Sequence, residues 1–366
     1  MTARWHRGSP RSESTRLVLV ALVAFSLGTG LLVILSVAPI AWSADARRNL
    51  LAARALLDGI FGTVDGYLYS PLAAALTIPA LVVPEGVAVI GWLLLKVAIL
   101  LIGASVATRG LQRTDRILVF AAAIGFLPVL YDLELGNVTI VIAASLALVA
   151  WIPDRVAAGI PLGIVLATTP KPQLIPVLIW MAVFRRRALV GALGAAGLGT
   201  LAACVVVGPG AYQAWIAALR APPGLTRGNF SLSGMPPVAA IPASLAVAAS
   251  TLLALRRGQA PGFVAALACG LLVSPYTILY AAAVLLVAAP AVARAAPRTT
   301  VALALVAPVA LVVAFPLWVG SLLLLALTVP RGRWSEVLPG PAMVGSPPAA
   351  VGATGGGVVH TPILPP

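Results

Sequence analysis

The stretch VAVIGWLLLKVAILLIGASVA, residues 87–107, decides the fold class: it runs uninterrupted with a single charge, Lys96, near its middle. At 1.5 Å of rise per residue such a run spans about 30 Å, the thickness of bilayer hydrocarbon. Its apolar residues do not alternate with polar ones, so it reads as a helix rather than a barrel strand. Comparable runs recur along the chain, split by short polar punctuation. Hydrophobic residues make up 61% of the chain and charged residues only 9%, where a soluble domain carries about a quarter charged. The expectation is an integral membrane protein, an all-α polytopic bundle of about ten to twelve transmembrane helices. An ammonium in mid-span, Lys96, is expected to face the bundle and to be paired.

Working outward, residues 1–16 are basic (Arg4, Arg7, Arg11, Arg16) and precede an apolar run over 17–42. A signal-peptide core spans only about 7–15 residues, so an uncleaved first span with a cytoplasmic N-terminus is expected. Residues 46–66 are too polar to cross. Residues 71–83 are apolar but short and contain Pro79, so they read as a helix lying at the outer interface. With that segment not crossing, every arginine-dense loop falls on the cytoplasmic side: Arg109, Arg113 and Arg116, then Arg185, Arg186 and Arg187, then Arg256 and Arg257, then Arg294 and Arg298. Residues 299–329 read as one long span or a hairpin broken at Pro316. From residue 338 the chain is rich in Pro, Gly and Ala without periodicity, the composition of a disordered tail. The expected organisation is a cytoplasmic segment 1–16, a membrane domain 17–337 and a tail 338–366.

The net charge of +14 sits mostly on arginines of short loops and the N-terminal segment, which fits an anionic lipid surface and gives no basic groove for nucleic acid. Cys204 and Cys269 lie in apolar runs without Cys or His company, so neither a disulfide nor a metal site is expected. No phosphate loop or dinucleotide fingerprint is present.

By this topology the remaining acids, amides and tyrosines gather on the outer face. Asp45 opens the first outer loop, followed by Arg47 and Arg48. A carboxylate beside guanidinium groups at the mouth of a span suits a base and a phosphate clamp for a lipid-borne substrate; the plainer reading of Asp45 is a helix N-cap. Lys171, between Pro170 and Pro172, joins two short apolar arms, and an ammonium there needs an anionic partner. Tyr69, Asp132, Glu134, Asn137, Gln173, Asn229 and Ser231 are the sugar-contact candidates. The acids at 132 and 134 suit a hard cation, yet no ligand set is fixed and no metal is assigned.

The run DARRNLLAARALLDG (45–59) followed by YLYSPL (67–72) resembles the first outer loop of the polyprenol-phosphate-mannose-dependent mannosyltransferases, glycosyltransferase family 87. The break at Gly136-Asn137, the junction Lys171-Pro172, GNFS (228–231) and Ser274-Pro275 fall in the family's order. The sequence departs where the family often has Gly-Gln, at Ser70, and after Pro275, where Tyr276 to Tyr280 contains no histidine; His6 and His360 both lie near the termini.

The resemblance implies the C-type glycosyltransferase fold with interfacial helices in the first outer loop. It implies Asp45 as catalytic base and transfer without a nucleotide; the residues themselves put Lys171 with Arg47 or Arg48 on the donor phosphate, and no cofactor is expected. The donor implied is a polyprenyl-phosphate sugar, usually mannose. The expected activity is inverting hexosyl transfer to a cell-envelope lipid or glycan acceptor at the outer face of the plasma membrane. The alternatives are a transporter or lipid flippase, which would carry its ionisable groups at the bilayer midplane, and a non-catalytic relative of the family.

Overall fold

The computed structural model describes residues 43–109, 116–117, 119–120, 123, 125–169, 171–220, 229–334 and 338. The expected first span, the N-terminal segment and nearly all of the tail lie outside the described residues, as do Arg113 and Pro170. Among the described residues the chain is helical throughout, without strands. Among the described residues three helices, Glu85–Ala107, Arg186–Val207 and Pro237–Arg257, are long and apolar enough to cross a membrane, and several shorter apolar helices accompany them.

Helix α1 (Ala44–Leu57) begins after Ser43, whose φ of 61° turns the chain sharply. Asp45 in its first turn and Arg54 in its last complement the helix dipole. Residues 71–83 form α2 (Pro71–Thr77) and a 3₁₀ turn (Ile78–Val82). At the start of this segment the Ser70 N–H and hydroxyl donate to the carbonyls of Thr168 and Ala167. At its end Glu85 pairs with Arg47 of α1 at 3.2 Å. The segment therefore returns to the end of the bundle from which it started.

The long helix α3 (Glu85–Ala107) then runs to the opposite end, parallel to α5 (Thr139–Trp151), with α4 (Leu127–Leu135) returning between them. Close approach along α3 and α5 needs a small residue: a Cβ on Gly103 would stand 2.9 Å from the Ala144 backbone. Glycine does the same for α6 (Val156–Thr168) and α8 (Arg186–Val207), which run parallel. Gly159 and Gly163 lie against the Ala188 and Ala192 backbones, and Gly191 lies against the Val156 carbonyl. This is small-residue packing, the means by which helices associate where lipid offers no hydrophobic drive. Helix α7 (Ile175–Phe184) links α6 to α8 in the chain, and α9 (Pro209–Arg220) caps the site end, where the Trp215 indole donates to the Leu68 carbonyl.

Helices α10 (Pro237–Arg257) and α11 (Gln259–Val273) follow. Residues 260–272 of α11 are all buried, which makes this uncharged helix the centre of the core. A 3₁₀ helix (Leu279–Val287) and α12 (Ala289–Ala295) lead to α13 (Pro297–Val313) and α14 (Phe315–Thr328). The last two resolve the sequence's open choice: the apolar stretch is a hairpin turning at Ala314, tied by the Trp318 indole to the Leu303 carbonyl.

Arginines collect at the end opposite Asp45. Arg185 donates to the Ala150 and Ile152 carbonyls, and Arg257 to that of Val329. Arg294 lies over the Trp151 ring at 5.8 Å. Asp154, expected to be an ordinary loop acid, accepts from the backbone N–H groups of Arg187 and Ala188 and so caps α8 from another part of the chain.

Gly191→Ala drives a Cβ to within 2.0 Å of a backbone oxygen, so it should destabilise the protein by about 1–3 kcal/mol. Gly194→Ala, three residues along and facing open space, should be neutral or gain up to about 1 kcal/mol. Thermal unfolding in detergent, followed by tryptophan fluorescence, separates the two.

Candidate functional site

The site grows from the break between α4 and α5. Gly136 closes α4 with φ 73° in the left-handed region, and a Cβ there would meet the Ala46 Cβ at 2.7 Å. Only glycine both turns the chain here and lets α1 approach it. The approach is sealed by the Trp92 indole donating to the Gly136 carbonyl at 2.8 Å and by the Ser43 N–H donating to the Glu134 carbonyl at 2.6 Å.

Asn137, the next residue, donates through Nδ2 to Asp45 Oδ2 at 2.6 Å. Its own Oδ1 accepts from the Val138 N–H and the Thr139 hydroxyl, which fixes the amide's orientation. The other carboxylate oxygen of Asp45 accepts from Arg48 Nη1 at 2.9 Å. Asp45 makes no capping bond to its own helix, so the N-cap reading of this residue is not realised. Its side chain is 16% exposed and keeps acceptor capacity after both contacts.

Beneath this pair lies a fully buried ion pair, Lys96 Nζ to Asp132 Oδ2 at 2.7 Å. The ammonium also donates to the Asp132 carbonyl, which accepts the Asn137 N–H at 3.1 Å, and Asp132 Oδ1 accepts the Thr139 N–H at 3.0 Å. Lys96 is thus paired within the bundle, as a mid-span charge must be. Asp132, expected as a sugar contact, is instead buried and committed to Lys96 and the start of α5. A ligand has no access to it in this arrangement.

Lys171 projects from the junction before the 3₁₀ turn Pro172–Leu174, with Nζ 5.4 Å from the Tyr280 ring centre and 6.0 Å from that of Tyr69. Two aromatic faces stabilise an ammonium by roughly 0.5–2 kcal/mol each. Among the described residues no carboxylate lies within ion-pair distance of it. Burial raises the Tyr69 phenol well above its usual range and the Asp45 carboxylate adds to the effect, so Tyr69 carries its proton at neutral pH. Gln173 donates to the Tyr276 carbonyl at 2.8 Å, while its Oε1 and Glu134 Oε2 are buried without a hydrogen-bond partner. A narrow apolar cavity opens beside Lys171, Gln173 and Thr139 and runs inward between Leu267 and Val284.

Three sequence candidates stand apart. Arg47 is turned to Glu85 on an exposed flank. The Asn229 carbonyl oxygen accepts from Ser231 and the Thr277 N–H, and its amine reaches Ser233 and the Pro275 carbonyl. Ser231 is buried in the same staple. That cluster ties residues 229–234 to residues 274–277 and leaves Asn229 little capacity for a sugar. Conversely, Tyr280 lies against Lys171 although the sequence reading named it only as the end of a segment without histidine; its four-residue spacing from Tyr276 was the available signal.

Lys96→Met leaves a buried carboxylate without its partner, so about 3–5 kcal/mol of stability should be lost. Adding Asp132→Leu removes the orphaned charge and should recover much of that loss. Thermal unfolding of the two variants in detergent checks both signs.

The model of Glycosyltransferase family 87 matches residues 67–316, well over half of the chain. No curated protein and no solved structure matches it. The matched region contains Asn137, Lys171 and Tyr280, while Asp45 and Arg48 precede it and join it through the contacts above. On this match the chain belongs to glycosyltransferase family 87 and is a membrane glycosyltransferase.

Proposed function

We propose that the protein moves a hexose, mannose by the family resemblance, from a polyprenyl-phosphate donor to a lipid or glycan acceptor, with Asp45 as the general base. The observation that carries this reading is the Asp45 carboxylate, held by Asn137 at 2.6 Å and Arg48 at 2.9 Å at the end of the bundle where Lys171 also lies. A base must be fixed in orientation yet keep a lone pair for the incoming hydroxyl, and both contacts leave one.

In this reading the acceptor hydroxyl gives its proton to Asp45 as its oxygen bonds to the anomeric carbon from the face opposite the phosphate. The bond from that carbon to the phosphate oxygen breaks, its electron pair stays on the lipid phosphate, and the sugar configuration inverts. Lys171 is the cation placed to hold that departing charge, while Arg48 stays on the Asp45 carboxylate and orients it. The Tyr69 and Tyr280 rings that flank Lys171 present flat apolar faces to a sugar, and Gln173, which lines the cavity beside Lys171, offers an acceptor to its hydroxyls. No nucleotide or metal has a step. The arginine-rich loops at the opposite end of the bundle support a cytoplasmic placement for that end and an outer-face, plasma-membrane placement for the site.

Purified protein in lipid with radiolabelled polyprenyl-phosphate-mannose and an envelope-lipid fraction tests the reading. Asp45→Asn should lower transfer by at least about 100-fold, and Lys171→Gln by a comparable factor, with both variants still folded. Undiminished transfer by Asp45→Asn would overturn it.

A further inference from the structure

Along α1 and its C-terminal cap residue Asp58, the positions Asp45, Arg48, Leu51, Ala55 and Asp58 recur at three- and four-residue steps, which places them on one face. Beyond Asp45 that face forms one wall of an open trough, and residues 60–65 form the other; Arg48, Leu51, Arg54, Asp58, Ile60 and Asp65 line it. Its volume, about 570 Å³, lies within the range of small-molecule sites. From Arg48 to Asp58 it follows the helix for about 15 Å, longer than a single hexose ring. Arg48 joins it to the base, because the same guanidinium that lines the trough donates to Asp45.

The lining discriminates between ligand classes. Among the described residues Arg54, Asp58 and Asp65 make no ion pair. Arg48 is neutralised by Asp45, so one guanidinium stands against two carboxylates and the trough is net negative. An anionic headgroup would meet repulsion there. A neutral polyol would not: its hydroxyls donate to the two carboxylates and accept from Arg54, while the half-exposed Leu51 and Ile60 side chains cover the C–H face of a sugar ring.

We infer that this trough is the acceptor subsite and that the acceptor presents an uncharged glycan of more than one sugar unit. The hydroxyl to be glycosylated lies at the Asp45 end and the preceding units extend toward Asp58 and Asp65. The inference rests on the reading of Asp45 as the base.

The test uses full-length protein in phosphatidylcholine nanodiscs and a set of octyl disaccharides of mannose, glucose and galactose, with octyl phosphate as the anionic probe. Binding is read by thermophoresis for wild type, Asp58→Asn/Asp65→Asn and Arg54→Gln. At least one neutral disaccharide should bind wild type and bind the double variant about 10-fold more weakly. With the labelled polyprenyl-phosphate-mannose donor, the double variant should raise the acceptor KM and leave the donor KM unchanged. If no neutral disaccharide distinguishes wild type from the double variant, or if octyl phosphate alone binds and does so through Arg54, the inference is overturned. Transfer with an unchanged acceptor KM also overturns it while leaving Asp45's role intact. Binding that depends on Asp58 and Asp65, with equal transfer by wild type and Asp45→Asn, supports the subsite and overturns the base.

Discussion

Lys96 and Asp132 meet in the bundle interior with no exposure to solvent, and the geometry of the site depends on that meeting. A lone ammonium or carboxylate in such a place costs several kcal/mol, so each of the two helical segments that carry them is obliged to present its charge to the other. The pair does more than cancel charge. Asp132 Oδ1 receives the first N–H of α5, and its carbonyl receives both the ammonium and the Asn137 N–H. The break at Gly136-Asn137 is thereby fixed from below, and Asn137 is left with its amine pointing at α1. Asp45 is thus held by an amide whose own orientation is set by a buried ion pair, an arrangement in which the proposed base stays near the surface and the electrostatic cost stays in the core.

The polar organisation of the molecule follows the same division. One end carries Asp45, Asn137, Lys171 and the tyrosines, and the other carries the arginines that donate to helix C-terminal carbonyls. The centre between them, residues 260–272, is uncharged. Glycines let the helices close on one another where no hydrophobic gradient drives them together. Small-residue contacts of this kind carry the packing between the helices, and the polar bonds are concentrated at the two ends and at the Lys96–Asp132 pair.

Much of the fold was legible in the sequence because its signals are local. The run 87–107 became Glu85–Ala107, and the short apolar segment with Pro79 begins and ends at one end of the bundle. The Gly136 turn is where α4 stops. What was not legible is the choice of partner. Lys96 and Asp132 stand 36 residues apart, and composition cannot say that Asp132 serves the lysine rather than a sugar. Asn229 looked free for a ligand, yet its amide is taken up by backbone groups nearly 50 residues further on. The difference between Arg47 and Arg48 was recoverable: on a helix Asp45 and Arg48 share a face and Arg47 points away. The first span lies outside the described residues.

The coupling between Asn137 and Asp45 is most directly read in a double-mutant cycle of Asp45→Asn and Asn137→Ala, using single-turnover label transfer at saturating donor so that slow rates stay measurable. Asn137→Ala alone should slow the step, and the double variant should be no slower than Asp45→Asn, because the amide acts only through the carboxylate it holds. Losses that multiply would give Asn137 a role independent of Asp45 and contradict the positioning described above.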